Sequence, residues 1–296
     1  MNETAVYGPV RLRDLVALSK PSVTLLVIIT TAGGLWLAPG TLSLLTLVAT
    51  LVGTVLIVAS ANTLNCWLER DSDRHMSRTR NRPLPAGRLD PRVALIFGFV
   101  LAVVSIPILA VYVNPLTAIL AALALVSYVG LYTPLKRIGP VALIVGSFPG
   151  AMPPLMGWTA VTGGAEWPGL VLFGILFVWQ IPHFLAIALY REEEYARAGI
   201  KTLPNVRGAR VTKWHALLWS FALVPVSLAL YPLGIAGPIY AATAVALDVG
   251  FLAFAFAGFR ARSDEVWARS FFLYTLLYLT VLFAVLVIDA GPVHGA

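Results

Sequence analysis

The chain has 296 residues, of which 59% are hydrophobic and 12% charged, and its formal net charge at pH 7 is +7. Its mean hydropathy of +0.85 is too high for an ordinary soluble domain, which excludes soluble enzymes and gives no reason to expect a nucleic-acid partner. The composition predicts an all-α integral membrane protein.

The uncharged stretches of the sequence are long enough to form helical hairpins across a membrane. No charged residue occurs between Lys20 and Glu69, and this interval holds two spans of about 20 residues joined at Pro39-Gly40. Three further hairpins are predicted at 93–135, 138–190 and 214–259, with breaks at Asn114-Pro115, at Gly163-Gly164 and between Pro232 and Pro238. A last span at 270–288 brings the prediction to a bundle of nine transmembrane helices in one domain, residues 1–296.

The positive charges give an independent prediction of topology. All 21 lysines and arginines lie in the N-terminal segment or in every second loop, as nine spans require. The positive-inside rule therefore places residues 1–20 and the loops at about 66–92 and 190–213 in the cytoplasm, and the tail 291–296 outside. Residues 1–10 have the features of neither a signal peptide nor a transit peptide, so a prokaryotic inner membrane is the simplest location, with its lipids as partners.

The first of these cytoplasmic loops begins with closely spaced polar residues. Asn65, Glu69 and Asp73 are spaced four apart, so on a helix each step turns by only about 40° and the three share one face. Amide and carboxylate oxygens are suitable ligands for a hard cation such as Mg²⁺. Arg78 and Arg82 follow within reach of an anion held by that cation. The pattern predicts metal-bound diphosphate at a membrane surface.

A second concentration of chemistry lies where another span reaches the cytoplasm. On a helix, Tyr190 and Glu194 each fall within about 20° of His183, so one stripe runs from mid-membrane to the surface. Pro182 predicts a kink there. Two interpretations of His183 are open, a hydrogen-bonded core residue or a functional one, because ionisable residues inside spans are often functional. The run of acids at 192–194 is also compatible with a solvated surface.

Other polar and aromatic residues are interpreted more plainly. The single Cys66 is expected to be a small buried hydrophobe, and Asp71 to pair with an arginine. Tyr128 and Tyr132 suit either the interfacial aromatic belt or a substrate cavity. Asp248, in mid-span, is left open between structural hydrogen bonding and a role in that cavity, and it is not included in the site.

Several segments together resemble a known family. They are Asn65-x-x-x-Glu69-x-x-x-Asp73, Met76-x-Arg78-Thr79-x-x-Arg82-Pro83-Leu84, Tyr132-Thr133-x-Leu135-Lys136-Arg137, the Met152-Pro153-Pro154 segment, Trp179-Gln180-x-Pro182-His183-Phe184, and Glu194-Tyr195 through Leu203-Pro204. This set is similar to the membrane-embedded UbiA-type prenyltransferase superfamily and, within it, to the branch of protohaem IX farnesyltransferases (haem O synthases). The resemblance covers about residues 20–210. The first motif is typical of the superfamily, whereas the second, fourth and fifth indicate the haem branch.

The resemblance implies a reaction, in which farnesyl diphosphate gives its C15 chain to a vinyl group of haem B, water supplies a hydroxyl, and haem O and diphosphate are formed. It implies Mg²⁺ as cofactor, with haem B as a substrate, and as further partners a downstream haem-modifying enzyme or a haem-copper oxidase. The catalytic and metal-binding residues would be Asn65, Glu69, Asp73 and Glu194. The diphosphate-binding residues would be Arg78, Arg82, Lys136, Arg191 and Lys201. The residues of the haem or prenyl cavity would be His183, Tyr132 and Tyr190.

Two departures from the superfamily pattern and two alternative functions remain at this point. Glu69 stands where the superfamily usually has aspartate, and three glutamates replace its paired aspartates; Glu194 is chosen among them by helical phase with His183. One alternative is a prenyltransferase for another aromatic acceptor, such as a quinone precursor or a chlorophyll-type ring. The other is a secondary transporter, which would explain Asp248 and His183 but not the paired acidic and basic helix ends.

Overall fold

Proline, glycine and asparagine divide the apolar chain into helices. In the computed structural model, which describes residues 9–290, all regular elements of the described chain are helical. The predicted breaks at Pro39-Gly40, Asn114-Pro115 and Gly163-Gly164, and the break between 232 and 238, all lie between helices and are confirmed. Asn114 Oδ1 accepts from the Thr117 N–H at 2.8 Å and so caps the helix that begins at Pro115. Gly163, at φ 72°, ends the helix Ala142–Thr162.

The helices are, in chain order, α1 Leu12–Leu18, α2 Pro21–Leu37, α3 Leu44–Glu69, α4 Pro91–Tyr112, α5 Pro115–Val126, α6 Thr133–Leu135, α7 Ala142–Thr162, α8 Trp167–Tyr190, α9 Glu192–Arg197, α10 Leu203–Leu228, α11 Pro238–Ala257 and α12 Asp264–Asp289. Short 3₁₀ turns lie at Ser72–His75 and Gly258–Arg260, and a π-helical turn at Ser127–Tyr132 joins α5 to α6.

The chain is a multi-pass membrane protein, but the number of spans differs from the prediction. Within residues 9–290, six helical segments are long and apolar enough to cross a membrane, and a seventh is added if α1 and α2, bent by 54°, form one span. Helices α7 and α10 are not among them; α7 contains three prolines, and the N-terminal half of α10 carries Arg207, Arg210 and Lys213. The nine-span count and the orientation of the termini are therefore not confirmed. The tail predicted to lie outside falls beyond the described residues.

Helix α8 lies at the centre of the bundle, since it packs against α7, α10 and α12 and is the most buried of the six candidate spans. Small residues let α2 approach α7 closely: a Cβ added to Gly157 would lie 2.1 Å from the Thr31 carbonyl oxygen, and one added to Gly34 equally close to that of Pro154. This contact fixes α2, and with it the connection from α1, against the rest of the bundle.

Two helices that the sequence analysis treated as continuous are interrupted. Helix α3 ends at Glu69, and Asp73 lies in the following 3₁₀ turn, so the prediction that Asn65, Glu69 and Asp73 share the face of one helix is wrong for Asp73. Helix α8 ends at Tyr190, and Glu194 belongs to α9. The acid that follows each interruption, Asp73 or Glu194, is buried.

Candidate active site

The C-terminal end of α3 presents an amide and a carboxylate that are both fully engaged. Asn65 donates through Nδ2 to Glu69 Oε2 at 2.9 Å and to Thr133 Oγ1 at 3.1 Å, and its Oδ1 accepts from Lys20 Nζ at 3.0 Å. The other oxygen of Glu69 accepts from Lys136 Nζ at 2.8 Å. Residues four apart on a helix lie side by side, so the two side chains form one polar surface.

The π-helical turn sets the position of Lys136. Tyr132 is the last residue of that turn, and the centroid of its ring lies 4.3 Å from Lys136 Nζ. The ring centroids of Tyr128 and Tyr132 are 5.3 Å apart. Gly146 makes room for Tyr132, because a Cβ there would lie 2.5 Å from the ring. Burial alone would lower the pKa of Lys136, but Tyr132 and Glu69 raise it above its ordinary value, so the lysine stays charged. π-Helical turns are frequent at functional sites.

Asp73 lies in the 3₁₀ turn after α3 and is buried, with its carboxylate 2.8 Å from Arg82 Nη1. The Thr79 hydroxyl donates to the backbone oxygen of Asp73 at 2.8 Å and holds the loop folded over it. The loop therefore brings an acid and a guanidinium together next to the end of α3.

Glu194 is held by donors from two loops. Its Oε1 accepts from Ser77 Oγ at 2.7 Å and from the Arg78 N–H at 3.4 Å, and its Oε2 lies 2.9 Å from Arg191 Nη1. The hydrogen bond from Ser77, with that from Arg191, lowers the pKa of Glu194 below its ordinary value although burial opposes this. The carboxylate is therefore ionised at neutral pH and joins the two loops that the sequence analysis singled out.

The structure distinguishes the three glutamates of α9. Glu194 is buried, Glu193 is exposed and Glu192 is intermediate, so Glu194 is the one turned into the protein. The reason given for choosing it, a common helical phase with His183, is wrong, because Arg191 leaves the helical conformation at φ −117° and ψ 23°.

Tyr195 lies near the charged end, because Arg78, Tyr132, Lys136 and Arg191 are close enough to influence its phenol. Burial raises the pKa of Tyr195, which therefore remains a neutral hydrogen-bond donor.

Lys201 contributes its backbone rather than its side chain to the observed contacts. Its N–H donates to the Lys136 carbonyl oxygen at 3.0 Å, whereas its side chain is exposed, as is that of Arg78. The charged end, as we call the cluster from here on, comprises three acids, Glu69, Asp73 and Glu194; the amide Asn65; and the cations Lys20, Arg82, Lys136 and Arg191.

His183 and Tyr190 belong to a different, aromatic region between α8 and α12. His183 Nδ1 is hydrogen bonded to Thr275 Oγ1 at 2.7 Å, and the His183 ring stacks on Trp179 with centroids 4.7 Å apart. The ring of Phe272 lies 4.9 Å from His183 and 5.8 Å from Tyr190, so the two predicted cavity residues flank the same side chain.

The residues outside the predicted site have structural partners. Asp248 accepts from Ser227 Oγ at 2.7 Å and from the Tyr278 hydroxyl at 2.8 Å, as structural hydrogen bonding predicts. Cys66 is buried as expected, and Asp71 lies 4.0 Å from Arg70 Nε, which confirms the expected pairing. We call Asp248 with Ser227 and Tyr278 the hydroxyl cluster.

The acids of the charged end are arranged singly. Among residues 9–290 there is no group of three or more His, Cys, Asp or Glu side chains placed to hold a metal ion. Each of Glu69, Asp73 and Glu194 instead contacts a lysine or an arginine. A divalent ion would therefore have to take the place of these cations, with Asn65 as a fourth oxygen donor.

Three residues that contact the charged end, Lys20, Ser77 and Thr133, and one that lies near it, Tyr195, were missed by the sequence analysis. Thr133 and Tyr195 lie inside the motifs that carried the resemblance, and Ser77 lies between two of its quoted residues. Lys20 was counted only as a topology signal, and its position before Pro21 was the one local sign of a special conformation.

Comparisons with known proteins give one consistent result. The model of the family described as the UbiA prenyltransferase family matches residues 26–277. A relative from Anaeromyxobacter dehalogenans (strain 2CP-C), named protoheme IX farnesyltransferase, is 54% identical over 275 residues, 93% of either chain. Among solved structures, a digeranylgeranylglyceryl phosphate synthase superposes with a TM-score of 0.82 at 16% identity over 94% of this chain and 98% of its own. A UbiA homologue from Archaeoglobus fulgidus, bound to DMAPP and Mg²⁺, superposes at 0.68 with 19% identity over 92% and 99%.

Proposed function

The chain belongs to the UbiA prenyltransferase family, and from that premise we propose that it transfers the farnesyl group of farnesyl diphosphate to a vinyl group of haem B. Water adds in the same reaction, and haem O and diphosphate are the products. The relative at 54% identity carries the corresponding name, and its match extends over nearly the whole of both chains. The haem acceptor therefore follows from the relative, and the prenyl transfer from the family.

The single observation that carries the proposal is the pairing within the charged end. Three carboxylates, which are the groups that bind a divalent cation, each contact a lysine or an arginine, which are the groups that bind phosphate oxygens. A metal–diphosphate complex satisfies both sets at once, because its cation matches the acids and its anion matches the bases. The hydrocarbon chain attached to that diphosphate is apolar, and so are the membrane-spanning helices that would surround it.

We propose Mg²⁺ as the metal, held by Asn65, Glu69, Asp73 and Glu194. These four residues offer only amide and carboxylate oxygens, the donors that Mg²⁺ prefers, and each already has a positively charged group against such an oxygen at 2.8 to 3.0 Å. The ion, when bound, neutralises the charge that develops on the departing diphosphate. The A. fulgidus homologue is described as bound to a divalent ion together with a prenyl diphosphate.

The bases of the charged end have a distinct task. Arg82, Lys136 and Arg191 are proposed to bind the diphosphate oxygens, and the exposed Arg78 and Lys201 to extend this surface. Guanidinium groups suit it because they can contact two phosphate oxygens at once. Their positive charge favours breakage of the bond between the farnesyl C1 atom and the diphosphate oxygen.

The acceptor is proposed to lie along the aromatic region of α8 and α12. His183 is engaged with Thr275 through Nδ1, so Nε2 is the atom through which it would contact a porphyrin or its iron. Tyr132 and Tyr190 would line the path between the porphyrin and the diphosphate. The new bond joins the farnesyl C1 atom to the outer vinyl carbon, the inner carbon takes the oxygen of water, and the water gives up one proton.

The arrangement in the membrane is also a proposal. A single domain of nine spans, with residues 1–20 and the charged end in the cytoplasm and the C-terminal tail outside, is supported by the lysine and arginine distribution. A prokaryotic inner membrane follows from the same reasoning. An enzyme that modifies haem O further, or a haem-copper oxidase, would use the product.

The test is a haem analysis by chromatography and mass spectrometry. Purified full-length protein in detergent is incubated with haem B, farnesyl diphosphate and Mg²⁺, with an EDTA sample and the Asp73→Ala variant in parallel. We expect a farnesylated, hydroxylated haem in the complete reaction and none in the other two. A folded protein that binds both substrates but forms no such haem would contradict the proposed acceptor; a quinone precursor offered in place of haem B tests the alternative.

A further inference from the structure

Lys20 differs from the other cations of the charged end in its partner. Its Nζ donates to the neutral amide oxygen of Asn65 at 3.0 Å. Among residues 9–290, no carboxylate oxygen lies within ion-pair distance of Lys20, whereas Lys136, Arg82 and Arg191 each contact one. Withdrawing an ammonium group from bulk water is unfavourable unless an anion compensates its charge. The chemistry of Lys20 therefore calls for an anion from a ligand.

The backbone at Lys20 is strained in a way that directs this side chain. Lys20 has φ 49° and ψ 70°, and it is the only residue other than glycine with positive φ in the described part of the chain. A side chain with a Cβ is unfavourable in this left-handed conformation. The following Pro21 restricts Lys20 further, towards extended conformations. Such strain persists only where the surrounding structure enforces it.

Helix α3 enforces it here. The Ser19 carbonyl oxygen accepts from Asn62 Nδ2 at 3.2 Å and from the Thr24 hydroxyl at 3.0 Å, which fixes the connection between α1 and α2. Asn62 and Asn65 lie on adjacent turns of α3, so the same helix holds both the backbone of this connection and the lysine that it presents. The 54° bend between α1 and α2 turns Lys20 inward.

The surroundings of Lys20 concentrate positive charge. Arg82 and Lys136 lie within electrostatic range of it, as does the carboxylate of Glu69. Both other cations already pair with acids, Arg82 with Asp73 and Lys136 with Glu69. A third cation added to this group is repelled by the other two, and a polyvalent anion bound among them turns that repulsion into attraction.

We propose that Lys20 is a diphosphate-binding residue, whose ammonium group leaves the Asn65 amide and donates to the diphosphate oxygens of the prenyl substrate. This inference rests on the proposed function and adds to it a residue from the α1–α2 connection. The same movement frees Asn65 Oδ1, so the amide that Lys20 occupies becomes available to the cation that accompanies the diphosphate. Lys20 would thus couple binding of the diphosphate to binding of the cation that accompanies it.

The test is calorimetric titration of the full-length protein in detergent with inorganic diphosphate, at Mg²⁺ concentrations from limiting to saturating. The Lys20→Met variant removes the charge with little change in volume. We expect its Kd to rise by about 10- to 100-fold at every Mg²⁺ concentration, the loss of one hydrogen bond between charged groups. Lys20→Arg should recover most of the affinity.

The matched control is Lys213→Met, which removes a lysine that is paired with Asp264 outside the charged end. Its Kd for diphosphate should equal that of the unsubstituted protein. Thermal unfolding checks that each variant is folded; if Lys20→Met is not, Lys20→Gln replaces it under the same criteria.

Three results would overturn the inference, and they differ in what else they affect. A Lys20→Met variant with unchanged Kd overturns it directly. A loss that disappears at saturating Mg²⁺ shows that Lys20 acts only by orienting Asn65 for the metal, which also overturns diphosphate binding by Lys20. An unsubstituted protein that binds no diphosphate at all overturns the proposed function, and this inference with it.

Discussion

The charged end and the hydroxyl cluster each hold buried acids, but with opposite kinds of partner. Glu69, Asp73 and Glu194 contact lysine or arginine, whereas Asp248 is hydrogen bonded to the hydroxyls of Ser227 and Tyr278. A hydroxyl that bridges helices satisfies a carboxylate without adding a charge, and the resulting contact joins α10, α11 and α12. A movable cation leaves the acid able to exchange its partner. The comparison teaches that an acid held by a cation can exchange that partner for a ligand, whereas an acid held by hydroxyls is suited to a structural contact; the Asp14–Arg88 pair outside the charged end shows that a cationic partner alone does not make a binding site.

Removing a carboxylate from the charged end should have the largest effect. Glu69→Gln keeps the shape and the contact with Asn65 but loses the charge that pairs with Lys136. We expect kcat for haem O formation to fall by about 10²- to 10³-fold, as when one group that stabilises developing charge is removed. The measurement is the initial rate at saturating farnesyl diphosphate and Mg²⁺.

The matched control for that variant is Glu265→Gln, which changes an exposed glutamate in the first turn of α12. Its rate should stay within about twofold, since surface substitutions are usually near neutral. If Glu69→Gln kept a rate close to this control, Glu69 would not be a catalytic acid, and the distinction between the two regions would fail.

A cation of the charged end can be tested without removing its charge. Arg82→Lys retains the pairing with Asp73 but loses the planar guanidinium that contacts two oxygens at once. We expect the KM for farnesyl diphosphate to rise about tenfold with a smaller change in kcat. Arg88→Lys, at the pair with Asp14 outside the charged end, provides the control and should leave KM unchanged.

The sequence was sufficient to predict helix breaks but not helix ends within a polar run. Pro39-Gly40 and Gly163-Gly164 were recognised because proline and glycine impose their own backbone geometry. The ends at Glu69 and Tyr190 were missed because the residues that follow are compatible with a helix, and tertiary contacts such as Ser77 with Glu194 decide the matter. Helical periodicity therefore selected Asp73 and Glu194 on the assumption of continuous helices, which the structure does not have.

Lys20 shows a different limit of sequence reasoning. The positive-inside rule counts lysines and arginines by loop and treats all members of a loop alike. Which of them turns back into the bundle depends on a 54° bend and on asparagines of α3, more than 40 residues away along the chain. That information is tertiary, so no local pattern contains it.

A smaller effect should follow from filling the space beside Tyr132. In Gly146→Ala the new Cβ would meet the Tyr132 ring, which must shift, and Lys136 Nζ packs over that ring. We expect kcat/KM to fall by a few fold and the free energy of unfolding by about 1–3 kcal/mol, the usual range for overpacking. Gly130→Ala, in the same π-helical turn but with open space around it, should show neither change.

The smallest effect on activity should come from the hydroxyl cluster, where stability should change instead. In Asp248→Asn the amide offers one acceptor oxygen to the two hydroxyls that now donate to separate carboxylate oxygens. One of the two, on Ser227 or Tyr278, loses its acceptor, which costs about 1–3 kcal/mol in a buried site. Thermal unfolding in detergent should detect this loss, while the rate of haem O formation at a temperature where the variant is folded stays within about twofold. If Asp248→Asn instead kept normal stability and its rate fell as low as that of Glu69→Gln, the distinction between the two regions would be contradicted. An acid held by hydroxyls would then serve the reaction.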